Sequence, residues 1–250
     1  MKKIFVLFFI SRFFILPVFS QTGDNNGGDF LKRIEYNKLV FNRDNFKSKE
    51  EIEKRFFGDF NAPFEFCYEG SFARQGIYGF RVFMDSLKNT HILEIKSIVN
   101  LQALQQKVQD KYPVRTLSSS EMASMPRDSL NLISNQNTVN IQKATEEKSK
   151  LSDIDSRSFP VSAQFAEILY KKAVSLIANF KATGICPLID DGYTVTFRTV
   201  VDDEVWSLRI HCPAGNAFKM SNLYKQIVTE TLATGKVDES RYIQMLDDFN

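Results

Sequence analysis

Residues 190–212, DDGYTVTFRTVVDDEVWSLRIHC, place Asp190, Asp191, Asp202, Asp203, Glu204, His211 and Cys212 in one short stretch. Carboxylates, an imidazole and a thiolate are the donors that hold zinc, and a carboxylate beside a histidine is an acid–base pair that hydrolases use. Whether they converge depends on the elements that carry them. With a turn at Asp202–Asp203, residues whose numbers sum to 405 face each other across an antiparallel pair. One face then collects Tyr193, Val195, Phe197 and Thr199 with Cys212, Ile210, Leu208 and Trp206. The other collects Thr194, Thr196 and Arg198 with His211, Arg209 and Ser207. Alternation of this kind marks a half-buried antiparallel hairpin, and a one-residue slip would turn every apolar side chain to water.

That register separates the acids. Asp202, Asp203 and Glu204 sit at the tip, while Asp190, Asp191 and His211 sit at the open end, roughly 25 Å away at ~3.3 Å per residue. Metal ligands must lie within about 2 to 2.5 Å of one ion, so these residues do not form a common site. No metal or other cofactor is expected. Asp190, Asp191 and His211 remain a candidate acid/His set, with an Asp-Gly turn through Gly192 as the structural alternative. On the polar face Thr194, Arg198, Arg209 and His211 are the binding candidates, because two guanidiniums on adjacent strands can engage carboxylates or an anionic partner. Solvated strand residues show the same pattern.

The compartment follows from the N-terminus. Lys2 and Lys3 precede an apolar run, and Val18-Phe19-Ser20 before Gln21 fits signal cleavage after Ser20. Arg12 interrupts the run, which argues against a permanent anchor. The mature chain is therefore expected to be periplasmic or secreted, without a stable membrane span. The leader carries three of the 32 basic residues and none of the 30 acidic ones, which leaves 29 against 30. A nucleic-acid binder would carry a basic excess, so nucleic acid is not an expected partner. In an oxidising compartment three cysteines leave an odd thiol. Cys186 with Cys212 is the candidate disulfide and Cys67 the buried thiol.

Residues 78–97 form a second hairpin, with pairs summing to 175: Phe80 meets Ile95, Val82 meets Leu93 and Met84 meets His91, while Arg81 faces Glu94. A shift of 115 residues superposes the two registers, Tyr78 on Tyr193 and Leu93 on Leu208, which suggests two similar halves. Shared amphipathic patterning gives the same match without duplication. Ser48 and Glu51 form a capping box for a helix over about 49–57, and PFEFCYE alternates as a strand. Helical spacing continues through Leu101, Leu104 and Val108, in a long polar helix after Pro126, over 161–180, over about 218–233, and through Tyr242 and Leu246. The expected class is α+β, antiparallel hairpins with helices packed on one face. The organisation is a signal peptide (1–20), a flexible tail (21–29), a first α+β half (30–112), a polar connector with a helix (113–160) and a second α+β half (161–250).

The phenylalanines of RFFGDFNAPFEF suit core packing better than a glycan groove, since Trp and Tyr are the usual sugar platforms. Nucleophile elbows, zincin helices, paired Cys-x-x-Cys, phosphate loops and dinucleotide fingerprints are missing. Through FRTVVDDEVWSLRIH and GNAFK, the chain resembles uncharacterised exported proteins of anaerobic Gram-negative gut bacteria. GIYGFRVFMDS resembles the first hairpin of the TonB C-terminal domain, an envelope interaction module. These features point to an exported, non-catalytic interaction or binding protein of the envelope or secreted space, with an envelope or secreted protein as its partner. The alternative is a hydrolase whose acid/His site assembles near Asp190, Asp191 and His211. Protein isolated from its native host is expected to begin at or near Gln21 on N-terminal sequencing; intact Met1 in a membrane pellet would mark the leader as a retained anchor.

Overall fold

Alternation of Phe64, Phe66 and Tyr68 with Glu65, Cys67 and Glu69 gives one short strand two faces of opposite character. That strand sits in the interior of a single sheet. The computed structural model describes residues 30–35, 38–40, 52–58, 62–181, 192–202 and 204–249, the first two stretches by backbone pairing alone. The leader, the tail, the Ser48–Glu51 capping box, Phe60, Cys186, Asp190, Asp191 and Asp203 lie outside the described residues.

In chain order the elements are β1 (Phe30–Glu35), β2 (Lys38–Val40), α1 (Ile52–Phe57), β3 (Phe64–Gly70), β4 (Ile77–Asp85), β5 (Thr90–Ile98), α2 (Leu101–Lys111), α3 (Ser119–Ser124), α4 (Arg127–Leu151), β6 (Ile154–Val161), α5 (Ala163–Ala178), β7 (Tyr193–Val201), β8 (Glu204–His211), α6 (Gly215–Thr234) and α7 (Glu239–Asp247). The class is α+β. The eight described strands run in the order β2-β1-β8-β7-β3-β4-β5-β6, and only β1 with β8 is parallel. Both hairpins adopt the expected registers, from Thr194 opposite His211 to Val201 opposite Glu204, and from Tyr78 opposite Ser97 to Asp85 opposite Thr90. The turn residue Asp202 takes a left-handed backbone (φ 49°), which aspartate tolerates better than most side chains.

β3 joins the hairpins into one sheet, pairing β7 on one side and β4 on the other. The order is β8-β7 to one side and β4-β5 to the other, with β7 and β4 running in the same direction. Tyr78 and Tyr193 both stack against Tyr68, so the residues that the 115-residue shift superposes share a face of the sheet. Reversed lateral order with the same direction and the same face is a mirror relation. No rotation superposes the two hairpins in that register within the sheet.

One face carries the large core. Tyr224 of α6 is fully buried, its ring 5.1 to 5.8 Å from those of Phe64, Phe66, Phe80 and Phe197 on three adjacent strands. Such tilted and edge-on pairs add roughly 0.5–1.5 kcal/mol each beyond area burial. α5 lies against β7, β3, β5 and β8 through Phe165, Leu169, Ala173 and Ile177. Its start is set by Ser162, whose Oγ accepts from Phe165 N at 3.1 Å. α6 stops at Gly235 (φ 74°), where the amide returns to Thr231 O at 2.9 Å. The four described phenylalanines of the 55–66 run, Phe56, Phe57, Phe64 and Phe66, are all in the interior. Trp206 is only part-buried, at the margin of this core.

The opposite face is covered in part by α1. Its Ile52, Phe56 and Phe57 pack with Cys67, and Ile77 and Ile98 flank them. The α3–α4 arm differs from both layers, because no described side chain from 113 to 151 is buried. α4 holds the segment before α3 by polar contacts: Asn137 bonds both N and O of Arg115, and Asn140 bonds Pro113 O. No helix among the described residues is long and apolar enough to cross a membrane.

The covered face depends on one missing side chain. A Cβ on Gly79 would lie 2.5 Å from Phe66 O, 3.0 Å from Cys67 Sγ and 3.3 Å from the Phe56 ring, in the space where α1 meets the sheet. Gly79→Ala is therefore expected to destabilise the protein by about 1–3 kcal/mol in urea denaturation. Gly76→Ala is the control: its Cβ has no neighbour nearer than 3.6 Å, so only its positive φ (77°) contributes.

Candidate functional site

The residues proposed to bind lie on the face under α1, and their neighbours come from β3. Because β3 pairs β7 as Glu65↔Arg198, Cys67↔Thr196 and Glu69↔Thr194, and pairs β4 as Glu65↔Arg81, side chains align in rows across the sheet. One row reads Ser207, Arg198, Glu65, Arg81, Glu94, Ser158, with charges alternating over four adjacent strands. Arg198 and Glu65 are almost completely enclosed, at 4% and 2% side-chain exposure. Arg198 Nε donates to Glu65 Oε2 at 2.5 Å, and its Nη2 makes a second contact with the same oxygen. Arg81 Nε donates to Glu94 Oε2 at 2.6 Å, and Ser156 Oγ to Glu94 Oε1 at 3.1 Å.

The next row is tied to α1. Arg209 Nη1 lies 3.3 Å from Glu53 of α1 and 3.0 Å from Glu69 of β3. Lys96 Nζ donates to Phe56 O at 2.5 Å and stands 5.5 Å from the Phe57 ring centre, which Arg81 also approaches to 5.5 Å. Cys67, in the same row as Arg209 and Lys96, is an enclosed thiol. Burial, reinforced by Glu53, pushes it well above the ordinary thiol range, so it is held as the poorly nucleophilic neutral form.

The expectation of a half-buried hairpin with a solvated polar face is corrected at its centre. Residues 195–199 of β7 are buried on both faces, and Arg198 neutralises Glu65 inside the protein instead of facing an external anion. The reason is the identity of the neighbouring strand. β3 brings acids on the same alternation that makes its other face aromatic, and α1 then covers part of the row. Arg209 is likewise engaged by Glu53 and Glu69. Thr194 and His211 are part-buried at the open end, with Thr194 Oγ1 and His211 Nδ1 3.1 Å apart. A Cβ on Gly192 would meet Cys212 Sγ at 2.3 Å, which places Cys212 directly against the start of β7. Its candidate partner Cys186 lies outside the described residues, as do Asp190 and Asp191.

A feature not anticipated from the sequence lies on the other side of the sheet. Where β8 feeds into α6, the end of α5 and the start of α6 border a half-open cavity of about 470 Å³. Leu176, Phe180, Met220 and Phe249 give it apolar walls, and Lys172 and Lys181 contribute ammonium groups. Lys172 Nζ donates to Phe249 O at 2.7 Å, which leaves it further donors. A smaller groove of about 290 Å³ runs between β4, β5 and α5, with His91 in its lining beside Phe64, Val82 and Tyr170. Among the described residues no group of three or more His, Cys, Asp or Glu could hold a metal ion.

No family model, curated protein or solved structure matches this chain. Function therefore has to be argued from the side chains and cavities above.

The enclosed pair is open to a direct test. Removing one partner leaves an uncompensated buried charge, so Arg198→Met and Glu65→Leu should each cost about 3–5 kcal/mol alone, whereas the two together should cost far less than the single changes combined. Urea denaturation of the four proteins measures the coupling. Additive effects would show that the pair is not enclosed as described.

Proposed function

We propose that the mature protein is an exported, non-catalytic binding protein of the cell envelope or secreted space, and that the α5–α6 cavity is its ligand site. The cavity is the observation that carries this reading. Its volume of about 470 Å³ falls within the roughly 300–1,000 Å³ typical of small-molecule sites, and it combines an apolar lining with a few polar groups. The ionisable residues on the opposite face bind one another, a use that favours holding the fold over performing a reaction. A protein partner from the same compartment suits the α3–α4 arm, whose described side chains all retain contact with solvent. The hydrolase reading draws on a single contact, Thr194 with His211 at 3.1 Å, and takes its acids from Asp190 and Asp191.

Native mass spectrometry of protein taken from its own host separates the two. The binding reading expects a retained small-molecule mass that Met220→Trp, which fills the cavity, removes. Ligand-free protein that turns over esters or peptides, with turnover lost in His211→Ala, would move the assignment to the hydrolase.

A further inference from the structure

The chemistry of the cavity narrows what it can hold. Its apolar surface comes from Leu176 and Phe180 at the end of α5, Met220 in α6 and Phe249 beyond α7; Leu176, Phe180 and Phe249 are only partly buried against the main core, and Met220 is a core member. Phe180 and Phe249 supply large flat apolar surfaces, and the unbranched thioether of Met220 adapts to an irregular apolar body. Filling the cavity with such a body would remove remaining apolar surface from water.

The charge of the lining has one sign. Lys172 and Lys181 line the cavity and no aspartate or glutamate does so among the described residues. Lys172 is fixed by its bond to Phe249 O, so part of its ordering cost is already met before a ligand arrives. Among the described residues the lining has lysines and no arginine, so it offers point charges and not the planar fork that engages two oxygens of a multiply charged group at once. Two ammonium groups beside an apolar pocket suit a singly charged head. Asn179 directs its Nδ2 amide to Ser175 O at 2.9 Å and Ser175 Oγ at 3.2 Å, which leaves the lysines as the lining's charged donors.

We infer that the α5–α6 cavity binds a small amphipathic carboxylate, an acyl or arylalkyl chain ending in one carboxylate, with the chain against Phe180, Met220 and Phe249 and the head at Lys172 and Lys181. This rests on the cavity being the ligand site, and adds the class of ligand.

The probes are decanoate and decanol, which share a chain and differ in charge, measured on the full mature protein by displacement of the fluorescent aryl sulfonate 1-anilinonaphthalene-8-sulfonate. Decanoate should bind at least about tenfold more tightly than decanol, and Lys181→Glu should weaken decanoate by about tenfold or more while leaving decanol within about twofold. Lys181 is exposed, so this variant should keep the parent melting temperature. Met220→Trp should abolish binding of both probes; because Met220 is buried, Phe249→Ala serves as a second variant, expected to weaken both probes alike. Equal affinity for decanoate and decanol, or an unchanged decanoate affinity in Lys181→Glu, overturns the carboxylate assignment. If a native ligand is nonetheless seen by mass spectrometry and lost in Met220→Trp, only the ligand class has failed. If neither probe nor native ligand responds to the cavity variants, the binding site itself has been misplaced.

Discussion

Glu65 and Arg198 are the constraint from which much of the remaining architecture follows. Each is enclosed, and a lone charge at either position would cost several kcal/mol, so β3 and β7 are stable together only where the two meet. A slip of one residue would set Glu65 against Phe197 or Thr199 and bring the aromatic side chains of β3 to the charged face. With the pair in place, the other rows follow. Cys67 and Gly79 come side by side under the Phe56 ring, Arg209 reaches Glu53, and Lys96 reaches the end of α1. α1 is only six residues long, too short to persist alone, and is held by these contacts with the sheet.

The two faces are thus held by different forces. Under α5 and α6 the interior is aromatic, arranged around Tyr224, and tolerates small adjustments because its contacts are many and non-directional. Under α1 a small apolar cluster is joined by charged pairs, and a missing charged partner there cannot be replaced by repacking. Stability changes from single substitutions should therefore be graded on the first face and abrupt on the second.

Both hairpins were legible in the sequence because their apolar side chains alternate without a break, and the strong helices α5 and α6 were legible from helical spacing. β6 was not. Its Asp155, Ser156, Arg157 and Ser158 carry no apolar alternation, since it is an edge strand whose side chains mostly face water. β1 was hidden for a related reason: its pairing with β8 joins residues far apart in the chain. The burial of Arg198 could not be read from its own hairpin, because it depends on which strand lies beside β7. A signal was nevertheless present in β3, where Glu65 and Glu69 flank Cys67 on the same alternation. The cavity had no sequence signature at all, because it forms where the ends of two helices meet.

The position of β3 also sets an order of events as the chain emerges during synthesis. β3, β4 and β5 can pair as soon as they emerge, since tight connections join them. Arg198 follows Glu65 by 133 residues, and β1 must wait still longer for β8. Until then the nascent meander exposes one edge of β3, with Glu65 on that edge still without Arg198. Contacts at such separation are paid for in chain entropy before they stabilise anything, which slows closure and leaves an open strand edge available to other chains. For a protein of this topology, the period between emergence of β5 and arrival of β7 is when assistance from a holding chaperone has the most effect.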